Sequence, residues 1–131
     1  MFNIISWNVN GIRAVEKKSF IPWLLSTEAD VVCIQETKAN PSQLSEELLS
    51  PAGYKAYFSS AKKAGYSGTA IYSKKEPDSV MTLGIPEFDD EGRTTVAFFG
   101  DLVVISAYFP NSQDAGARLS YKLAFCDAIL E

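Results

Sequence analysis

Histidine is absent from the entire sequence. That removes Ser-His-Asp and Cys-His catalysis from the chain, together with any histidine-ligated zinc site. Cysteine is scarce as well: only Cys33 and Cys126 occur in 131 residues, far apart and each in an apolar context. A four-cysteine zinc site is excluded, and the pair reads as two buried free thiols in a reducing cytoplasm. No apolar run approaches the roughly 20 residues of a membrane-spanning helix. The opening Met1-Phe2-Asn3-Ile4 lacks a basic segment followed by an apolar one, so neither a signal peptide nor a membrane partner is expected. Chemistry in this chain must rest on carboxylates, amides, phenols, lysines and arginines.

Apolar material is plentiful. Hydrophobic residues make up 47% of the chain and 16 residues are aromatic, enough for one compact domain and incompatible with disorder. The net charge of −4 argues only weakly against nucleic-acid binding, because the charges are unevenly placed. Residues 51–75 hold Lys55, Lys62, Lys63, Lys74 and Lys75 and no acid, whereas residues 76–114 hold eight acids against Arg93 alone. Two solvated faces or one polarised binding edge would both account for this.

Residues 2–7 are short, apolar and β-prone, and they run into the turn signal Asn8-Val9-Asn10-Gly11. A helix is predicted next, with Ser19 as N-cap and Pro22 tolerated in the first turn. Residues 31–35 form the next strand, and a βαβ unit of this kind predicts parallel pairing. Asn40-Pro41 predicts a helix start leading into Leu44, Leu48 and Leu49. Strands follow at 55–59, 69–73, about 79–83, 93–99 and 102–108, with Gly100-Asp101 as a two-residue hairpin turn. The chain closes in a helix from about residue 116, with Leu119, Leu123, Cys126 and Leu130 at helical spacing. The fold class is α/β, a mixed sheet of about six strands with helices on one face.

Three strands end in polar residues: Trp7-Asn8-Val9-Asn10, Gln35-Glu36-Thr37-Lys38 and Tyr108-Phe109-Pro110-Asn111. Ligands of open α/β sheets gather outside the carboxyl ends of the strands. A rim holding Glu36, Asn8, Asn10 and Tyr108 suits Mg²⁺, which takes one or two carboxylates and keeps several waters. Each string also has a plain reading, as a turn, a solvated corner or a cap.

The strings Ile5-Ser6-Trp7-Asn8-Val9-Asn10-Gly11-Ile12-Arg13, Gln35-Glu36-Thr37-Lys38, Gly65-Tyr66-Ser67-Gly68-Thr69-Ala70, Glu91-Gly92-Arg93 and Tyr108-Phe109-Pro110-Asn111 stand in a telling order. Together they resemble the exodeoxyribonuclease III family of apurinic/apyrimidinic (AP) endonucleases, within the endonuclease/exonuclease/phosphatase superfamily. The resemblance implies that Glu36 binds the metal, with Asn8 and Asn10 beside it and Tyr108 against the scissile phosphate. It implies DNA contacts by Tyr66, Arg93, Asn111 and Arg118, and makes Lys38 a buttress of the metal rim that also lies on the DNA side. The implied cofactor is Mg²⁺, with Mn²⁺ as a substitute, weakly held. The implied substrate is double-stranded DNA with abasic sites, cut 5′ to the lesion, with trimming of 3′ ends.

The family also carries a Gly-Asp-x-Asn motif and a terminal Asp-His pair that activates the attacking water. Gly100-Asp101-Leu102-Val103 imitates the former but lacks its asparagine, and without histidine the latter cannot be here. Residues 1–131 thus read as the N-terminal half of a four-layer α/β sandwich, whose two similar halves the resemblance implies pack sheet against sheet with helices outside, and the half is expected to be inactive alone. Another phosphodiesterase of the superfamily, or a non-catalytic half that binds DNA or a complementary chain, is the alternative. Strands such as Val31 to Ile34 and Leu102 to Ala107 are apolar on both faces, so both need cover. Helices on one side predict an open sheet face, and with it a homodimer joined through that face.

Overall fold

The computed structural model describes residues 2–110 and 118–130. The first strand, β1 (Ile4–Asn8), leads through two helices, α1 (Ile12–Glu16) and α2 (Phe20–Thr27), to β2 (Val31–Gln35). The two strands are parallel, Ile4 facing Val31 and Asn8 facing Gln35. This is the expected βαβ unit with its helical segment split in two. Pro22 lies in the first turn of α2 as anticipated, but Ser19 caps nothing with its hydroxyl and sits in the left-handed region.

A 3₁₀ turn at Pro41–Gln43 and a short helix, α3 (Glu46–Leu49), follow. The proline start therefore serves a single turn, and Ser45 begins the helix proper by accepting from the Leu48 amide. Two strands, β3 (Lys55–Ser59) and β4 (Thr69–Ser73), complete a sheet in the order β1-β2-β4-β3. The chain then crosses to a second sheet made of β5 (Ser79–Met81), β6 (Thr94–Phe99) and β7 (Leu102–Ala107), with α4 (Pro86–Asp89) between its first two strands. The Gly100-Asp101 hairpin forms as expected, Phe99 facing Leu102, with Gly100 at φ +61°. The last helix is α5 (Leu119–Leu130).

The α/β class holds, but the single mixed sheet with helices on one face is replaced by two sheets packed together. Alternation along each strand explains the difference. On β2 and β4, Val32, Ile34, Ala70 and Tyr72 face a core closed by Ile12, Phe20, Leu24 and Leu48 of the helical layer. The opposite parity, Val31, Cys33 and Ile71, packs on Ala97, Phe99 and Val104 of the second sheet. The face expected to be open is therefore covered by the chain's own β6 and β7. Large apolar side chains remain exposed at the edge of that face, as Ile4 of β1 in register with Val31, and away from it, as Trp7 on the helical side and Val103 and Ile105 on the outer face of β7.

Helix α5 covers part of the outer face of the second sheet, where Ala128 and Ile129 share a cavity with Val96, Phe98 and Ile105. Its anchor is not the leucine stripe. Leu119, Leu123 and Leu130 are exposed, whereas Phe125 is fully buried, edge-on to Phe88 and Phe109 at 5.2 Å each. Cys33 is buried but Cys126 only partly so, and both thiols are free. Among the described residues no helix is long and apolar enough to cross a membrane.

Truncating Phe125 to alanine should cost about 3–5 kcal/mol, the scale of a buried aromatic lost from a core. Leu123→Ala should cost less than about 0.5 kcal/mol, as for an exposed site. Urea unfolding of both variants measures the contrast.

Candidate active site

Beyond the last paired residues of β1 and β2, the backbones stay zipped. Val9 N–H donates to Gln35 O, Gly11 N–H to Glu36 O and Ile12 N–H to Thr37 O, at 2.7 to 3.0 Å. A third segment joins from the loop before β4: Thr37 N–H donates to Gly68 O and Lys38 N–H to Ser67 O. These bonds hold Asn10, Glu36, Lys38 and Ser67 at φ between +50° and +56°. Non-glycine residues seldom adopt this region, and it is sterically costly for a long side chain such as glutamate. The cost is met where the proposed metal residue leaves the sheet. Gly68 is required by the same junction, because a Cβ there would stand 2.2 Å from Thr37 Oγ1.

The turn aims Glu36 at the rim. Asn8 Nδ2 donates to its Oε1 at 3.1 Å, while Asn8 Oδ1 accepts from the Asn10 amide. Lys38 Nζ stands 3.5 Å from Oε2 and donates to Asn10 Oδ1 at 2.5 Å. Partial burial pushes the Glu36 pKa up, but hydrogen bonds from Asn8 and Tyr108 and the Lys38 ammonium outweigh it, and the net shift is down. Tyr108, just beyond β7, behaves oppositely: burial and the Glu36 carboxylate raise its phenol to about 12. At neutral pH the rim presents an ionised carboxylate beside a protonated phenol. The oxygen donors there suit a hard cation that keeps most of its water. Among the described residues no cluster of three or more acids, cysteines or histidines gathers to hold a metal.

Arg93 is not on the surface. It is 2% exposed, and its guanidinium lies against the rings of Tyr66, Tyr108 and Tyr121, with centroids 5.8, 4.8 and 5.6 Å away. Its Nη2 donates to Glu91 Oε1 at 2.8 Å and to the Tyr66 hydroxyl at 2.9 Å, and its Nη1 to Tyr108 O at 3.2 Å. The phosphate contact that the resemblance implies for Arg93 is therefore not what this conformation provides. A buried cation needs a partner, and Glu91 is it. Arg118 is partly exposed, pairs with Glu91 at 2.9 Å and lies over the Tyr121 ring at 3.9 Å. Asn111 falls outside the described residues.

Glu91 went unassigned in the sequence, although it stands in the Glu-Gly-Arg string. Gly92 between them is at φ +58°, and a Cβ there would meet backbone atoms of Ser60 and Ala61 at 2.6–2.7 Å. That close approach lets the flanking carboxylate and guanidinium meet. Also unassigned were Arg13 and Lys17, which line a groove of about 410 Å³ with Gly11, Ala14, Lys38 and Gly65. Next to it, Lys62, Lys63 and Tyr66 border a second cavity of about 220 Å³.

The lysine-rich stretch of sequence divides between two ends of the sheet. Lys62 and Lys63 lie beside the rim, whereas Lys55 pairs with Glu76 and lies opposite Ser73, at the other end. The acids of residues 76–114 do not form one face either: Asp90 pairs with Lys62, Asp78 caps Gly100 and Glu91 turns inward. The bases beside the rim are Lys38, Lys62 and Lys63 together with Arg13 of α1 and Lys17 just after it.

The fold and site define a mixed α/β sandwich with one carboxylate, amides and a phenol at the carboxyl ends of its strands, next to a cationic groove. The chain belongs to the Endonuclease/Exonuclease/phosphatase family, which matches residues 5–131. It is 42% identical over 129 residues to an exodeoxyribonuclease of Bacillus subtilis, covering 97% of this chain and 50% of that protein. It is 38% identical over 122 residues to the DNA repair nuclease APEX1 of Danio rerio, covering 91% of this chain and 39% of that one. Among solved structures, an AP endonuclease from Archaeoglobus fulgidus superposes with a TM-score of 0.84 at 33% identity, over 98% of this chain and 49% of the other. The chain thus spans half, or less, of the length of these relatives.

Glu91 also makes the cluster acid-sensitive. Burial works to raise its pKa, yet bonds from Arg118 and Arg93 lower it from 4.5 to about 2. A carboxyl depressed on folding stabilises fully above its unfolded pKa, and that contribution is lost as pH falls through the folded one. The gap in urea midpoint between the chain and a Glu91→Gln variant should narrow as pH is lowered from about 5 to about 2.5.

Proposed function

We propose that this chain is the N-terminal half of a Mg²⁺-dependent DNA-repair phosphodiesterase that cuts double-stranded DNA 5′ to abasic sites and trims 3′ ends. The observation that carries the reading is Glu36, held on a costly left-handed turn and faced by Asn8, Lys38 and Tyr108. Glu36, its carboxylate fixed by Asn8, would hold a Mg²⁺ or Mn²⁺ ion, whose charge would stabilise the phosphate under attack. Tyr108, protonated at neutral pH, donates to a non-bridging oxygen. Arg13, Lys17, Lys63 and Arg118 hold the backbone on either side, and Tyr66 presents its ring to it. The relatives' names support DNA as the substrate class.

A group to position the attacking water belongs to the other half in this reading, since the chain has no histidine. General-base groups contribute about 10²–10⁴-fold, so the isolated chain should cleave an abasic-site duplex negligibly. Supplying the remaining half of the fold should restore Mg²⁺-dependent cleavage that Glu36→Gln abolishes. There, Tyr108→Phe should slow cleavage strongly and shift stability by about 0.5–1 kcal/mol. Robust turnover by the chain alone, or cleavage indifferent to Glu36, sinks the proposal.

We extend the reading to association. On the outer face of β7, opposite to the inward Val104, Val103 and Ile105 are exposed apolar residues that a second copy would cover. Sedimentation at micromolar concentration should show a dimer for the chain alone, and Val103→Glu should weaken it. A monodisperse monomer refutes self-association.

A further inference from the structure

We infer that Glu91 is a positioning residue for Tyr108, acting through Arg93; its part in catalysis rests on the reading above. Tyr108 is placed by Arg93 at three points. The guanidinium lies 4.8 Å from its ring centroid, Nη1 donates to its carbonyl, and its own amide donates to Arg93 O at 2.9 Å. Arg93 in turn has few fixed points. Its Nε is buried without a partner, so the guanidinium plane is set by the bonds at Nη1 and Nη2. Among the described residues, Glu91 is the carboxylate that pairs with it.

Glu91 joins more than two elements. Its Oε1 accepts from the Tyr66 hydroxyl at 3.1 Å as well as from Arg93, and Arg118, at the head of α5, donates to both of its oxygens at 3.2 and 2.9 Å. One carboxylate therefore ties the Gly65–Gly68 loop, the start of β6, the end of β7 and the head of α5. Without it, Nη2 loses its ionic partner in a site that offers little water. Among the described residues, Nη2 then keeps only the Tyr66 hydroxyl as a fixed partner, and we infer that the guanidinium shifts, taking the floor of the Tyr108 ring with it. A one-ångström displacement of a group that contacts the reacting centre is enough to cost about 10²-fold in rate.

Neutralising a buried arginine could also be a purely structural service, so the test separates the two. The 131-residue chain with ¹³C-labelled tyrosine rings gives one set of signals per tyrosine, assigned by single Tyr→Phe variants. Glu91→Gln should displace the Tyr108 and Tyr66 signals by more than a linewidth. The signals of Tyr54 and Tyr72, bonded to Ala29 O and Leu48 O on the helical side, should stay in place. The double variant Glu91→Gln with Arg93→Gln removes the buried charge and should recover the melting temperature. It should still leave Tyr108 displaced, because the guanidinium floor is gone. This variant also carries the test if Glu91→Gln alone fails to fold.

An unmoved Tyr108 signal in folded Glu91→Gln, or a restored one in the double variant, overturns the inference. In the two-half protein, Glu91→Gln should lower kcat by about 10²-fold, beyond any rise in KM from its bonds to Tyr66 and Arg118, and adding Tyr108→Phe should lower kcat no further. Additive losses would overturn it equally. If the two-half protein proves not to cleave DNA, the functional reading fails by itself, and the tyrosine signals still decide the positioning role.

Discussion

The site depends on one backbone constraint: Glu36 is forced into the left-handed region by bonds from two other loops. A glutamate at the end of a buried strand would by default continue in the extended region and alternate into the sheet. Here Gly11 N–H takes its carbonyl, while Gly68 and Ser67 carbonyls hold the two amides that follow it. The carboxylate is thereby turned out over the strand ends, where it meets Asn8, Lys38 and Tyr108 from separate elements. Bonds of this number offset the strain of a few unfavourable dihedrals, each on the order of 1–3 kcal/mol. The rim is preorganised by main chain, and side chains complete it.

Much of this was legible in the residues. Alternation and turn signals located the seven strands of the described residues, and the parallel β1–β2 pair followed from a strand-helix-strand run of βαβ length. Of the polar strings at strand ends, Asn8, Asn10, Glu36, Lys38 and Tyr108 come together at one rim. The division into two sheets was not legible, because a strand buried on both faces looks the same whether a helix or another sheet covers it. Nor was the true face of α5. Four residues at helical spacing, Leu119, Leu123, Cys126 and Leu130, outweigh a single phenylalanine in any periodicity argument. Yet Phe125, which meets Phe88 and Phe109, decides the docking.

Charge was the hardest quantity to read. Neighbouring lysines in sequence face opposite ends of β3 and β4, since a strand and its hairpin partner reverse direction within a few residues. Arg13 and Lys17 look like ordinary helix-surface cations until the backbone bonds fold α1 against the Gly65 loop. Arg93 shows the converse. A basic residue in a nuclease-like string invites assignment to a phosphate, but its burial among three tyrosines and a carboxylate depends on Gly92 permitting a backbone approach that no sequence pattern announces.

The space between the two sheets is not uniform. Towards one end it is filled by Val31, Cys33, Ile71, Ala97, Phe99 and Val104. Towards the rim it is bridged by hydrogen bonds: Gln35 Nε2 to Ser106 Oγ, Ser106 Oγ to Ile34 O, Thr69 Oγ1 to Thr95 Oγ1, and Thr95 Oγ1 to Ser59 Oγ. Apolar contact has no preferred direction and tolerates a small slide of one layer over the other, whereas a hydrogen bond weakens steeply when its angle is lost. Shear between the layers is therefore resisted at the end that carries Glu36 and Tyr108 and left comparatively free at the other. The layers are thus pinned to one another in register at the end where Glu36 and Tyr108 stand.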